Sequence, residues 1–338
     1  MHRRRTTVAL LLAAAGLTSC TSDPETPSPN GGSGVLAGLD GVRDTWSGLQ
    51  EVEDGVRGLV VEADLDEDIT PQQLTAVLDA LAQAEPDLYT LSLAWGELPK
   101  SVPDDLGDRD LVDGAYSALD PPTSDRAEQF LASARTYDGS VTLSSGGTEV
   151  VLDDGGPDDL TTALEATIAD PVLRRTPHLG IRTGEHQPGD ASAVRSDEPM
   201  TPVTLDRWRR LRTTLASAPA DSAPWIRLRE GRDHDDEPPV RVSVGLVLPG
   251  VTQPGTVTPE TWGDRLWPMI RPQLDVVGKL PPGSAYELGN EVPQPGGTGL
   301  PDLDRLVSVA VGADADAGGP PTAWDAAATT YLGGVTSP

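Results

Sequence analysis

Cysteine is almost missing from this chain: Cys20 is the only one in 338 residues. No disulfide can form within it, so the fold is built without that crosslink. Lysine is nearly absent, with Lys100 and Lys279 alone, and Phe130 is the single phenylalanine. Histidine is scarce. Apart from His2, only His178, His186 and His234 occur, and no cysteine stands near them, so a zinc site of familiar spacing is excluded. Positive charge is the other shortage: 25 Lys+Arg face 53 Asp+Glu, a formal net charge of −28. Such a balance argues against nucleic acid and anionic lipid head groups as partners. A membrane-length apolar run is missing too. The stretch at residues 8–17 has the length of an export signal and falls well short of the roughly 20 residues needed to span a bilayer.

What is present begins at that stretch. Arg3, Arg4 and Arg5 precede it, and Leu17-Thr18-Ser19-Cys20 follows it. A basic start, an apolar middle and Leu-small-small-Cys resemble the signal peptide and lipobox of bacterial lipoproteins. The resemblance covers residues 1–20. It implies cleavage after residue 19, diacylglycerol on the Cys20 thiol, and anchoring to the outer face of the cell membrane, by general secretion more than by a twin-arginine route. In that class the new N-terminus is also acylated, and two chains hold where one binds only marginally. The cleaved chain keeps 22 Lys+Arg against 53 Asp+Glu, a net charge of −31. Residues 21–34 are rich in Pro, Ser, Thr and Gly and have no apolar residue. They read as a disordered tether, holding the folded part roughly 20 to 45 Å from the membrane.

Beyond the tether a rhythm recurs. Residues 56–65 partly alternate apolar and polar, as a strand does. Thr70-Pro71-Gln72-Gln73 is a capping-box start, and Leu74, Val77, Leu78 and Leu81 follow helical spacing. Residues 88–95 alternate again. Similar units are expected at 141–143 and 149–152 around a Gly146-Gly147 turn, with a helix from Pro157 and a strand at 178–182. A third spans 225–228 and 240–248, a helix from Pro259 to about 277, and a strand at 285–288. Linking helices are expected near 124–136, 205–216 and 301–311. Trp46, Val141, Trp225 and Trp324 are placed on the first strand of successive units. The expected fold is therefore α+β: two to three repeated ββαβ modules with small antiparallel or mixed sheets covered by helices. The expected divisions are 1–19 signal peptide, 20–34 lipidated Cys and tether, 35–120, 121–200 and 201–300 as modules, and 301–338 as a truncated unit.

Candidate chemistries are few. Asp64, Asp66 and Asp68 alternate like the start of a calcium loop. Ile69 stands where that loop needs Gly, and Thr75 where it needs Glu, so the acids read as charges favoured at a helix start. His234 lies among Asp233, Asp235, Asp236 and Glu237, a solvated acidic loop. Ser144 and Ser145 lie in a turn, and no Gly-x-Ser-x-Gly occurs. Gly296-Gly297-Thr298-Gly299 follows Pro295 and lacks the strand a nucleotide loop needs. Asn290-Glu291 resembles the acid/base pair at a strand end of clan-A glycoside hydrolases. That resemblance implies Glu291 as general acid/base and Asn290 on the substrate's 2-hydroxyl, with a second carboxylate about 5 Å away. Six residues carry it, Val292 stands where that family has Pro, and the eight-fold barrel rhythm of about 250 residues is missing. With one Phe in the chain, the tryptophans are expected to fill the core; an exposed row gripping sugar or peptide is the other reading.

The sequence thus points to a membrane-anchored extracytoplasmic protein that binds and does not catalyse. No cofactor or metal is expected. Its partners are the membrane, through lipid on Cys20, and an envelope protein or small ligand, with no nucleic acid. An extracellular hydrolase acting through Glu291, or a structural envelope spacer, are the competing readings.

Overall fold

The computed structural model describes residues 31–53, 56–84, 90–94, 124–144, 147–152, 155–184, 192–232, 237–292, 302–312 and 322–336. Cys20, His186, His234, Ser145 and the Gly296–Gly299 run lie outside them. Helices and strands are mixed throughout, an α+β chain in two compact units that divide between Val151 and Leu152.

In the first unit, α1 (Gly31–Leu36) leads into β1 (Val42–Glu53) and β2 (Val56–Leu65), which pair antiparallel. The helix α2 (Pro71–Ala84) carries the chain over to β3 (Thr90–Ala94), which lies parallel to β2. Then follow α3 (Ser124–Thr136), β4 (Gly139–Ser144) and β5 (Gly147–Leu152). Val61, Leu65, Ile69, Leu74, Val77 and Phe130 are fully or almost fully buried. Arg135 of α3 donates to the carbonyls of Ile69 (2.7 Å) and Glu67 (3.2 Å), fixing the turn that follows β2.

The second unit alternates more regularly. Its elements are α4 (Pro157–Ala169), β6 (Leu179–Thr183), β7 (Ala193–Ser196), α5 (Pro202–Thr214), β8 (Trp225–Glu230), β9 (Val240–Leu246), α6 (Pro259–Val277), β10 (Ala285–Val292), β11 (Asp302–Ala310) and α7 (Ala323–Thr336). The six strands lie side by side in chain order. Hairpin neighbours β6–β7, β8–β9 and β10–β11 are antiparallel; β7–β8 and β9–β10, joined through α5 and α6, are parallel. Each parallel pair needs a crossover, and a helix supplies it. Successive helices touch, α4 to α5 to α6 to α7, forming one layer on one face of the sheet.

Strand alternation assigns the two faces. Ile226, Leu228, Val242, Val244, Tyr286 and Leu288 are all buried at 1% exposure or less. They point toward the helices: Tyr286 Oη donates to Gln273 Oε1 of α6 at 2.5 Å. Trp208 of α5 is fully buried and donates to Thr161 Oγ1 of α4 at 3.0 Å. Trp324 of α7 is 2% exposed, stacks tilted against Trp267 at 5.5 Å, and donates to the Val257 carbonyl. Tryptophan does the filling that phenylalanine does elsewhere, with each of these indole N–H groups satisfied.

Helix starts are written by one local device. The residue before the helix offers its backbone N–H to the side chain three positions on. The pairs are Thr70 with Gln73, Gly156 with Asp159, Thr201 with Thr204, Thr258 with Thr261 and Thr322 with Asp325, at 2.6–3.3 Å. Proline follows at the first helical position of α2, α4, α5 and α6, where its missing N–H costs nothing.

Three expectations are corrected. Residues 301–311 form the strand β11, not a linking helix. Leu288 pairs with Val307 and Gly289 with Arg305, leaving Leu306 as the extra residue of a bulge. Both Leu306 and Val307 are therefore buried, which breaks the alternation that would have announced a strand. Trp324 sits in α7 and not on a strand; the Thr322 N–H donates to Asp325 at that helix start. Residues 193–196, where no element was expected, form β7, which pairs on both sides.

Candidate functional site

Two places on the second unit combine strand ends with polar side chains. The first lies at the carboxyl ends of the parallel strands β7 and β8, next to the start of α5. Such crevices outside the carboxyl ends of α/β strands are the usual ligand positions of open sheets. Here a cleft of about 490 Å³ is lined by Ser196, Thr201, Thr204, Arg207, Glu230 and Arg232, among others. Glu230 ends β8 and is held from two sides. Thr204 Oγ1 donates to its Oε2 and Arg207 Nη1 to its Oε1, both at 2.5 Å. Those two contacts fix its orientation, as charge-assisted hydrogen bonds do. The N–H groups at the start of α5 are also engaged: Thr201 Oγ1 accepts from Val203 and Thr204. The cleft therefore presents hydroxyls, a clamped carboxylate and the exposed guanidinium of Arg232, with the helix donors already used.

The second place is the opposite edge, where β9 and β10 end and β8 begins. Asn290 is fully buried, and its Oδ1 accepts from the Leu248 N–H at 2.9 Å. That bond ties the loop after β9 to the end of β10. Asn290 is thereby spent on the fold. Glu291, on the other face, is half-buried, and its Oε1 accepts from Trp225 Nε1 at 2.7 Å. The indole reaches it by lying across Gly245: a Cβ there would stand 2.1 Å from the ring. Arg227 covers the indole from above, its guanidinium carbon 4.5 Å from the ring centre. Trp225 is 5% exposed, so this tryptophan fills space and offers no open platform.

The remaining candidates are placed as follows. Asp64 lies on β2 with Arg43 Nη2 at 3.0 Å, and Asp66 stands 3.8 Å from the same guanidinium. Arg43, more than the helix start, is their counter-charge. Among the described residues no group of three or more His, Cys, Asp or Glu could hold a metal ion. His178 is exposed, in a left-handed conformation (φ 50°), with Nδ1 3.7 Å from Asp197. No described helix is long and apolar enough to cross a membrane.

Sequence reasoning singled out neither Glu230 nor Arg207. The available signal was the Thr201-Pro202 helix start directly after a strand, the βαβ crossover at whose mouth a cleft forms. No protein-family model, curated protein or solved structure matches this chain.

Proposed function

We propose that this chain is a lipoprotein of the cell envelope, anchored through Cys20 and acting by binding on the extracytoplasmic side. The anchor rests on Leu17-Thr18-Ser19-Cys20 behind a ten-residue apolar stretch, with no other cysteine in the chain. One observation carries binding over catalysis: the carboxylate in the cleft of the second unit is immobilised. Glu230 has both oxygens engaged by Thr204 and Arg207. Held in that way by two neighbours, the carboxylate is placed to orient a ligand. The hydrolase reading through Glu291 draws less support, because Asn290 is fully buried and committed to Leu248.

The units are built, in this reading, by repetition of ββαβ. Support comes from pairing: β1–β2 and β8–β9 are antiparallel hairpins, and each is followed by a helix and a strand parallel to the hairpin's second strand. In a crystal structure, residues 42–94 should superpose on 225–292 along one path, and two unrelated paths end the repeat.

The anchor is tested by fractionation. Wild-type protein should sediment with membranes and incorporate labelled palmitate. Cys20→Ala should appear in the medium or as uncleaved precursor, without label. Unchanged membrane retention of Cys20→Ala refutes the anchor.

A further inference from the structure

The cleft at the ends of β7 and β8 is set by strand register. Ser196 stands directly opposite Glu230. Both belong to the face that carries the helices, two residues beyond Val194 and Leu228, which are buried there. Thr204 and Arg207 of α5 reach the same carboxylate. Two strands and a helix thus bring a hydroxyl, a carboxylate and a guanidinium to one opening of about 490 Å³. Pro199, Pro239 and Pro281 come from three different loops and line it with rigid, apolar rings.

These polar groups are not used up by the fold. Ser196 is 2% exposed and lines the cleft, and its Oγ has no hydrogen-bond partner among the described residues. A hydroxyl so enclosed costs free energy unless something bonds it. Ser192, just before the same strand and as buried, is spent on the fold: its Oγ accepts from the Ile226 N–H at 3.3 Å. Arg207 is engaged through Nη1 alone among the described residues, which leaves donors on Nε and Nη2. Each oxygen of Glu230 takes one of the two hydrogen bonds and keeps a second lone pair.

Charge narrows the ligand. Arg207 and Glu230 stand 2.5 Å apart and balance each other. A charged ligand beside this pair would be drawn by one member and repelled by the other, and would give up its water for little return. A purely apolar ligand would strand Ser196 and the guanidinium donors. What fits is a neutral molecule whose groups both donate and accept. A hydroxyl does so, giving its hydrogen to Glu230 while accepting from Arg207 or Ser196. Neighbouring hydroxyls on a ring do it twice in a fixed geometry, and the C–H surface of that ring matches the prolines.

We propose that the cleft binds a neutral sugar, with two adjacent ring hydroxyls on Ser196, Arg207 and Glu230. The volume lies in the range of small-ligand sites. The sugar gives the cleft of the binding reading its ligand class and rests on that reading; neither depends on the lipid anchor.

The test uses residues 20–338 with Cys20→Ser, observed by saturation-transfer-difference NMR. The sugar probes are glucose, galactose, mannose, arabinose and N-acetylglucosamine. Acetate, inorganic phosphate and N-acetylglycinamide stand for anions and amides. At least one sugar should bind more tightly than any of those three. Ser196→Ala should weaken that sugar about fivefold, and Glu230→Gln roughly tenfold or more, with circular dichroism unchanged. If Glu230→Gln does not fold, Ser196→Ala alone decides, because it removes one oxygen and leaves Glu230 with both its partners. Sugar binding equal in wild type and Ser196→Ala overturns the proposal. Tighter, Ser196-dependent binding of acetate, phosphate or the amide overturns the sugar and leaves the binding reading standing. Binding of no probe at all overturns the sugar and takes the cleft away from the binding reading as well.

Discussion

The two faces formed by the six strands of the second unit are made by the same strands and obey different rules. On the inner face Ile226, Leu228, Val242, Val244, Tyr286 and Leu288 are packed under four helices with almost no exposure. On the outer face the neighbours of those residues in sequence include Arg227, Arg229, Arg241, Ser243 and Glu287, exposed or half-buried, beside the buried Trp225, Gly245, Ala285 and Gly289. The inner face is where stability is concentrated, because burial of apolar area is the dominant favourable term. The outer face adds little to stability and spends charge. The difference assigns folding to the inner face, and that assignment can be broken.

The largest effect belongs to the inner layer. Trp208→Ala removes a fully buried indole that bridges α5 to Thr161 of α4. It should lower unfolding free energy by about 3–5 kcal/mol, read from the urea midpoint. A loss under about 1 kcal/mol would mean that the helix layer is not the core.

Gly245→Val probes where the faces meet. Its side chain would collide with the Trp225 ring, so the indole must leave both Gly245 and Glu291. The expected cost is about 1–3 kcal/mol, with a red shift of tryptophan emission as that ring meets water. Asn290→Ala strands the buried Leu248 N–H and should cost about 1–3 kcal/mol; as a substrate-holding residue it would instead leave stability unchanged.

Tyr286 gives the inner face a pH signature. Full burial pushes its phenol well above the ordinary tyrosine range. A pKa raised in the folded state means that the unfolded chain loses this proton first. The stability it contributes is intact below about pH 10 and falls as pH rises above that value. Tyrosinate absorbance should therefore show one phenol that ionises only as the chain unfolds in alkali. Smallest of all, Arg241→Ala on the outer face should move stability by no more than about 0.5 kcal/mol, read from the urea midpoint.

The inner face was the legible part. Period-two strands and Thr-Pro helix starts marked β2, α2, α4, β9 and α6 directly, because local hydrogen bonding and burial write those signals. β11 was hidden by its bulge: Leu303, Leu306 and Val309 fall at helical spacing while Leu306 is the extra residue. β7 was hidden by length, since four residues between loops carry too little pattern. The outer face could not be read along the chain at all. Arg195, Arg229 and Arg241 are separated by 34 and 12 residues, and each looks like the polar half of an ordinary alternation. Register alone lines them up. The clamped Glu230 was hidden for the same reason, as Thr204 and Arg207 reach it across 26 and 23 residues.

One measurement addresses the difference between the faces directly: urea unfolding of Leu228→Ala, on the inner face, beside Arg241→Ala, on the outer face. The account predicts a loss of about 2–5 kcal/mol for Leu228→Ala and of no more than about 0.5 kcal/mol for Arg241→Ala. Equal losses, or the larger loss at Arg241, contradict it.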